Sequence, residues 1–479
     1  MTVQTLTPKR KKGYIQLSSL AIFAFYSAFF PRVLTLLKFP SIINLVHLGL
    51  VPIICVLTVC KTRVRDPLQV TIIWELSAAL LIFFGANLAS ALWSDAGMIN
   101  AAMNFLLFCE HFLLLLTVIS LPMTSQKLDR FRSYVVFASF TNTLFAYVQR
   151  YVLNLHLRRG LEDNIKGVFI GGGAGHVIGA SVALTFGLYY FVDAKNLPIW
   201  VRAAVLLITF WHMNLADAKQ VLLVFFIAGI FLLVTKLRNI GEAIKYTIIV
   251  LLLGLTFYWA TQNIPALDAF NTWARPEIYG PDGEATLLKS AAFRIVPRHW
   301  DSPLDPLFGL GPGHTVGRLG GWMLREYSSL LGPLGSTTHP ASSEVWQAVG
   351  ASWLGDQSSM FSPLFGWAGI WGDLGWLGLG SFLYIWFVVW RRLCFDNLSK
   401  FLVLTVLVFG LVFTQMEEPG YMLYVAVILG MRWQEHHFRK RNRHFMSIQR
   451  RAGYFPEFDE QRGTLATSKG YSNPHDGRG

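Results

Sequence analysis

Charged side chains are scarce in this chain. Lys, Arg, Asp and Glu make up 14% of its 479 residues, whereas 53% of the residues are hydrophobic and the mean hydropathy is +0.44. Soluble globular domains carry about 25% charged residues. This shortage excludes an ordinary soluble fold and indicates a protein that lies in a membrane.

Cysteine is also rare, since the chain holds only Cys55, Cys60, Cys109 and Cys394. None of the four lies in the long polar segment 263–365. A disulfide-stabilised domain and a cysteine-rich metal site both need several cysteines in one segment. We therefore expect neither a disulfide framework nor a metal there, and we expect no cofactor.

Long apolar runs fill most of the chain. A helix that crosses the hydrocarbon layer needs about 20 mostly apolar residues, because each backbone polar group must be satisfied within its own segment. By this measure we predict about twelve spans. They are 14–31, 41–60, 68–93, 99–120, 133–152, 170–192, 198–214, 220–236, 245–262, 366–390, 400–415 and 420–433.

The predicted fold is an all-α, polytopic membrane helical bundle with one large, partly helical loop outside the cytoplasm. We expect helices in this loop near Ala285 to Ile295 and Ser342 to Ala351. The tail beyond Arg451 is polar and is expected to be disordered. The predicted regions are a basic cytoplasmic N-terminus at 1–13, transmembrane helices at 14–262, the loop at 263–365, transmembrane helices at 366–433 and a basic cytoplasmic tail at 434–479.

Lysine and arginine collect in every second connection, which marks the cytoplasmic side. The basic clusters are 9–12, 61–65, 127–132, 236–238, 391–392 and 439–451. Both termini are therefore predicted to be cytoplasmic, and segment 263–365 to face outward from a cytoplasmic (inner) membrane. The net charge of +13 is spread beside the spans, so we expect membrane lipids rather than nucleic acid as its partners.

A few cations lie in connections that are predicted to face outward, where this bias should deplete them. They include Lys219, Arg158, Arg294 and Arg298. Arginine suits phosphate, because its planar fork bonds two oxygens at once. The alternative is that these residues touch lipid headgroups or pair with nearby acids such as Asp217. Taken as a set, they favour a site for an anionic ligand.

The outward segment also contains the glycine turn Gly309, Gly311 and Gly313. The turn lacks the strand-before, helix-after context of a dinucleotide fold and the Lys-Ser/Thr of a P-loop. Its glycines allow the backbone to turn sharply and to approach a ligand or another segment closely.

Histidines and tryptophans make this segment unlike a membrane span. His339 is a candidate general base, because an imidazole titrates near pH 6.5, and His299 and His314 compete for that role. The tryptophans suit either sugar stacking or the membrane interface; they are Trp273, Trp300, Trp322, Trp346 and Trp353.

Three ionisable residues, Glu75, Glu110 and His111, fall inside predicted spans. Burying such groups in a membrane is costly, so they are candidate functional sites. We interpret them first as bonds between helices.

Three stretches, in order, carry a family resemblance. The first is Gly167-Val168-Phe169 through Gly171 to Ala180, and the second is Ala216 to Lys219. The third is Phe293-Arg294, then Pro306 to Gly313, later His339 and finally Gly372 to Leu379. Together they resemble the O-antigen ligase and polysaccharide polymerase family of integral membrane glycosyltransferases. Two positions depart from the family pattern. Lys219 stands where the family has arginine, and His339 is followed by Pro340 and lies well before Gly375.

The resemblance implies transfer of a saccharide from an undecaprenyl-diphosphate-linked oligosaccharide to a glycan or lipid A-core acceptor. It implies a metal-independent displacement with inversion on the outer side of the membrane. Arg294 and Lys219 would then bind the diphosphate, with Arg298 or Arg158 in support, and His339 would be the base.

Ligase and polymerase differ only in the acceptor, and the sequence leaves both open. A solute transporter, for inorganic carbon or a similar solute, is the alternative, because about twelve spans suit a carrier equally well. Glu75 and Glu110 are its candidate residues. A non-catalytic partner in envelope synthesis is a third possibility.

Overall fold

The computed structural model describes residues 16–451, apart from 63, 65, 161, 172–173, 237–239, 265–266, 268–269, 272–274 and 356–358, together with 458–459 and 464–465. The predicted basic N-terminus, Trp273 and most of the predicted disordered tail lie outside these residues.

Helices account for nearly all regular structure before residue 264. The α-helices are α1 Leu17–Phe29, α2 Pro31–Leu34, α3 Val46–Lys61, α4 Pro67–Trp93, α5 Met98–Ser120, α6 Ser125–Tyr147, α7 Gly175–Asp193, α8 Ile199–Leu215, α9 Lys219–Val234 and α10 Ile240–Asn263. Short 3-10 turns lie at Thr35–Leu37, Ser41–Leu45, Leu155–Gly160 and Glu162–Asn164, and a π-helical turn at Val148–Val152 continues α6.

The segment 264–365 is built from short helices. They are α11 Pro276–Tyr279, α12 Glu284–Lys289, α13 Ala291–Ile295, α14 Asp305–Phe308, α15 Leu324–Glu326, α16 Ser328–Leu331 and α17 Pro340–Ala351. Four further turns complete it, at Val296–His299, Leu319–Met323, Gly332–Leu334 and Ser359–Phe361. Helices therefore cover both stretches of this segment in which the sequence predicted them.

Three longer helices follow: α18 Gly366–Leu393, α19 Asn397–Val412 and α20 Pro419–Arg451, with a 3-10 turn at Thr414–Glu417. Two strands of 2 residues each, Phe458–Asp459 and Thr464–Leu465, pair antiparallel. Each apolar run that the sequence predicted to be a span falls on a helix of this fold.

The chain is a helical protein with several apolar helices that suit a membrane. Within the described residues, 5 helices are long and apolar enough to cross one, and a sixth candidate is the pair Leu17–Phe29 and Pro31–Leu37, bent by 50°. The 5 helices are Ser41–Lys61, Pro67–Trp93, Met98–Ser120, Gly175–Asp193 and Gly366–Leu393. Because α8, α9 and α19 are shorter, the larger span count and the side that each loop faces stay predictions.

The helices pack around a shared apolar core. α20 packs against α5, α18 against α4, α7 against α8, and α19 against α9. Large aromatic side chains fill the centre, where the Phe29 ring lies 5.0 Å from Phe169 and 6.2 Å from Tyr424. Phe29, Phe169 and Tyr424 are fully buried, so α1, the segment that leads into α7, and α20 are held together in this core.

Polar side chains inside the helical bundle bond neighbouring helices, as predicted for two of three positions. Glu75 on α4 accepts from Arg392 Nε on α18 at 2.6 Å, and Glu110 on α5 lies 2.6 Å from His47 Nδ1 on α3. The prediction is wrong for His111, whose ring nitrogens have no hydrogen-bond partner among the described residues. Its ring instead packs 5.9 Å from Trp386.

Charged residues from connections that are predicted to share one side of the membrane contact each other. Arg432 pairs with Asp193 at 2.5 Å and with Asp396 at 2.7 Å, and all three follow or precede predicted cytoplasmic turns. Arg32 pairs with Glu418 at 2.6 Å, and both lie beside turns that are predicted to face outward. The two groups form separate networks.

Candidate functional site

The glycine turn packs into a break in α18. At Gly375 the backbone leaves the helix, with φ 62° and ψ −161°. The carbonyls of Gly372 and Asp373 at this break accept hydrogen bonds of 2.9 Å from the N–H groups of Leu310 and Gly311. The predicted close approach of the turn is therefore made to another segment of the chain.

Positive φ angles in the turn explain why glycine is needed there. The values are +77° at Gly309, +104° at Gly311 and +73° at Gly313. A Cβ at Gly309 would also overlap the backbone of Asp373. Side chains are disfavoured at such positions on both grounds.

The Asp373 carboxylate is enclosed by the residues that follow this turn. Its Oδ2 accepts from the Gly313 N–H at 2.9 Å, and its Oδ1 accepts from the Thr315 N–H at 2.8 Å and from Thr315 Oγ1 at 2.6 Å. The side chain is fully buried. Since these donors satisfy the carboxylate, Asp373 fixes the loop to α18.

Three predicted candidate bases lie ring to ring in one row. The His299 ring is 5.2 Å from the His339 ring, and the His339 ring is 5.6 Å from the His314 ring. His299 ends the turn after α13, His314 follows the glycine turn, and His339 caps the N-terminus of α17. The structure therefore brings together histidines that spacing alone could not relate.

Burial keeps two of these rings neutral near pH 7. It lowers the pKa of His314, against a smaller opposing effect of the Leu310 carbonyl. Burial also lowers the pKa of His339, and positive charge on His314 or His299 would lower it further. Within the described residues, no group of three or more His, Cys, Asp or Glu side chains is arranged to hold a metal ion.

Arg294 and Arg298 lie on the exposed side of the same segment. The Arg294 guanidinium donates to the Leu287 carbonyl at 2.6 Å, and the side chains of Arg294 and Arg298 are both exposed. Their helix α13 and the following turn pack against α17 and α18. Arg294 and Arg298 thus share a neighbourhood with the histidine row.

Lys219 begins α9, which packs against α19, α7 and α8. Its Nζ lies 2.6 Å from Asp217 Oδ1. The alternative to a ligand site was that the predicted outward cations pair with such nearby acids. Arg158 is exposed in the turn Leu155–Gly160, where its carbonyl accepts from Asn164 Nδ2 at 2.7 Å. Lys219 therefore lies at the start of α9, which contacts α7, α8 and α19, whereas Arg294 lies on α13, which contacts α17 and α18.

A cavity of about 340 Å³ brings Lys219 together with a second cation, Arg150. We call it the cationic cavity. Its lining residues are Arg150, Tyr151, Trp211, Asn214, Leu215, Asp217 and Lys219. Trp211 Nε1 donates to the Tyr151 hydroxyl at 3.1 Å, so two aromatic rings form part of its wall.

A second, apolar cavity of about 190 Å³ is lined in part by the π-helical turn Val148–Val152. Val148 and Gln149 line it, whereas the next residues, Arg150 and Tyr151, line the cationic cavity. The other lining residues are Leu36, Leu144, Phe145, Leu153, Leu155, Asn164, Lys166 and Ile170. One π-helical turn therefore contributes residues to the lining of both cavities.

A buried charge network joins the segment after the glycine turn to Arg32 on α2. Arg318 and Arg32 both pair with the carboxylate of Glu418, and the Arg32–Glu418 distance is 2.6 Å. The backbone N–H of Arg318 donates to Glu417 Oε2 at 2.7 Å. Burial lowers the pKa of Arg318 and raises the pKa of Glu417. Arg318 Nε and Glu417 Oε1 have no hydrogen-bond partner among the described residues.

Sequence reasoning missed Arg32, Glu417 and Glu418. The available signal was topological: Arg32 directly follows the first predicted span, at the end that is predicted to face outward, where a cation is disfavoured. Glu417 and Glu418 lie between the last two predicted spans. Charges at such positions mark polar sites or networks.

A search of family models and of curated proteins finds no match to this chain. The resemblance to O-antigen ligases and polysaccharide polymerases therefore depends on the quoted motifs alone.

Proposed function

We propose that this chain transfers a saccharide from an undecaprenyl-diphosphate-linked donor to a glycan or lipid A-core acceptor on the outer side of the cytoplasmic membrane. The observation that carries the proposal is that the π-helical turn Val148–Val152 contributes residues to both the cationic cavity and the apolar cavity. An amphiphilic anion needs both environments side by side.

Each cavity suits one part of such a donor. Lys219 and Arg150 would attract the diphosphate, while Leu144, Val148 and Leu153 would cover part of the isoprenoid chain. Apolar burial stabilises a lipid by about 0.8 kcal/mol per methylene. Trp211 in the cationic cavity offers a flat face for a sugar ring.

The reaction is a single displacement at the anomeric carbon. The acceptor hydroxyl oxygen bonds to that carbon as the bond to the diphosphate oxygen breaks, which inverts the configuration. The hydroxyl proton passes to a base in the histidine row, and the lipid diphosphate leaves with the electron pair. Cations stabilise its developing charge. We assign this role to Lys219 and Arg150 in the cationic cavity and to Arg294 on α13, with Arg298 and Arg158 in support.

The test is incubation of the purified protein in lipid vesicles with a lipid-linked oligosaccharide, followed by gel analysis of lengthened or transferred glycan. Lys219→Ala and Arg294→Ala are each expected to lower the transfer rate by about 100-fold, as loss of a charge-stabilising donor does. Lys219→Arg should retain activity, because the charge remains.

Lys195→Ala is the matched control, since Lys195 is an exposed lysine that lies on a predicted cytoplasmic connection. It should transfer at the wild-type rate. Normal glycan yield from both Lys219→Ala and Arg294→Ala would contradict the assignment. Supplying either a lipid-linked chain or a lipid A core as acceptor distinguishes polymerase from ligase.

A second candidate function is solute transport. The buried pair His47–Glu110, with 3% and 1% of its side chains exposed, joins two apolar helices, and carriers place ionisable residues in such positions. Solute flux into vesicles without glycan transfer, lost in Glu110→Gln, would favour this function.

A further inference from the structure

The three histidines differ in which ring nitrogen has a lone pair available. A general base must accept a proton at a nitrogen that is neither protonated nor engaged as an acceptor. Hydrogen-bond partners show which nitrogen of a neutral imidazole carries the proton. The contacts of each ring therefore show which of the three histidines can accept a proton.

His314 has both nitrogens engaged. Its Nδ1 lies 2.7 Å from the Leu310 carbonyl, which can only accept, so Nδ1 carries the proton. Its Nε2 lies 2.8 Å from Thr337 Oγ1 and accepts from that hydroxyl. The residue is 3% exposed, so His314 is held in place and closed to an acceptor substrate.

His339 is engaged through Nδ1. As the N-cap of α17, it accepts the Ala341 N–H at 3.2 Å. The neutral ring must then carry its proton on Nε2, which makes Nε2 a donor. If Nδ1 took up a proton, it would become a donor that faces the Ala341 N–H, and the hydrogen bond that caps α17 would be lost. His339 therefore suits donation of a hydrogen bond better than uptake of a proton.

His299 is oriented differently. Its Nε2 lies 3.0 Å from Glu344 Oε1 on α17, although the two atoms are not aligned as a hydrogen bond. A carboxylate beside Nε2 favours the tautomer that is protonated there, which leaves the lone pair on Nδ1. The side chain is 19% exposed, so a substrate hydroxyl can reach the ring.

We infer that His299, and not His339, accepts the proton of the acceptor hydroxyl, with Glu344 as its positioning residue. This inference rests on the proposed glycan transfer. The proton moves from the hydroxyl oxygen to His299 Nδ1, while Glu344 stays ionised and stabilises the imidazolium. His339, with its ring 5.2 Å away, instead caps the N-terminus of α17 through Nδ1.

The decisive comparison is between His299→Asn and His339→Asn in the glycan-transfer assay. Asparagine is among the best N-cap residues, so His339→Asn keeps the cap of α17 and should keep transfer within a few-fold of wild type. His299→Asn removes the base and should lower kcat by about 100-fold or more. Thermal melting of both purified variants checks that each is folded.

A small base added in solution tests the role of His299 directly. In His299→Gly, imidazole should restore a large part of the transfer rate, whereas imidazole should leave His339→Asn unchanged. Glu344→Gln should lower kcat without a matching rise in KM, since it changes the charge beside His299 rather than the binding of the donor.

The outcomes separate the two proposals. Wild-type protein without any glycan transfer would overturn the proposed function and this inference with it. Active wild-type protein with an active His299→Asn variant would overturn the inference alone. So would His339→Asn that folds but loses as much activity as His299→Asn.

Discussion

The glycine turn and the histidine row lie next to each other in the fold and differ in how their polar groups are used. Around Asp373 the carboxylate oxygens and the surrounding N–H groups are paired with one another. In the histidine row, His299 Nε2 faces Glu344 without a formed hydrogen bond. Satisfied groups stabilise a structure, whereas groups held near a partner but not saturated remain available for chemistry.

This difference separates residues that look equally functional in the sequence. From the sequence, Gly309, Gly311 and Gly313 could approach either a ligand or another segment, and in the structure the turn packs against the break in α18. His299 had no special spacing, yet its position beside Glu344 makes it the residue that we propose as the base. Changes in the turn should therefore alter stability, and changes at His299 should alter rate.

Asp373→Ala is expected to give the largest loss of stability. It leaves the N–H groups of Gly313 and Thr315 and the Thr315 hydroxyl without their buried acceptor. Each unsatisfied buried donor costs about 1–3 kcal/mol, so the total should be at least about 3 kcal/mol. The measurement is thermal unfolding of the purified protein in detergent.

His299→Asn serves as the contrasting variant, with a melting temperature close to that of wild type. If Asp373→Ala melted at the wild-type temperature and lost only activity, the division between a structural turn and a reactive row would be wrong.

Gly309→Ala should destabilise the fold by about 2 kcal/mol or more, because a glycine-only backbone conformation alone costs about 1–3 kcal/mol. The new Cβ would also overlap Asp373. Gly335→Ala is the matched control: its φ is +83°, but nothing lies within 4 Å of the added Cβ. It should cost about 1 kcal/mol. Equal unfolding free energies for the two variants would show that the packing of the turn against α18 contributes nothing.

His314→Gln should have a smaller effect, and one that depends on pH. Burial lowers the pKa of His314 in the folded protein below the value of about 6.5 in an unfolded chain. The unfolded state then binds more protons, so stability is complete above about pH 6.5 and falls as the pH drops toward the folded pKa.

The melting temperature of wild type should therefore decrease on acidification, and His314→Gln should show a shallower decrease, at a cost of about 1 kcal/mol near pH 7 from the altered hydrogen bonds. His339, whose pKa is also lowered by burial, supplies part of the remaining slope. A variant slope as steep as that of wild type would remove His314 as a source of acid sensitivity.

Helix positions were largely predictable from the sequence. The predicted runs 68–93 and 99–120 match α4 and α5 within a residue or so at each end, because apolar length alone sets these helices. The break at Gly375 was not predicted, since a glycine within an apolar run has no mark that separates a kink from close packing.

The candidate site was less predictable, because its contacts join residues far apart in the chain. Arg32 and Glu418 are 386 positions apart, and Ser90 Oγ reaches the Asp373 carbonyl across 283 positions. Neither pair leaves a local pattern. The sequence also could not predict which ring nitrogen of each histidine carries the proton, because the N-cap role of His339 depends on the orientation of one ring nitrogen.

The break in α18 also implies an order of assembly. Until Leu310 and Gly311 donate to them, the carbonyls of Gly372 and Asp373 would lack partners within this predicted span, and each such group costs several kcal/mol in hydrocarbon. The glycine turn precedes α18 in the chain, so it can be in place when that helix enters the membrane. We expect stable insertion of α18 to wait for this turn, which would make the segment 264–365 a folding partner of the predicted span that follows it.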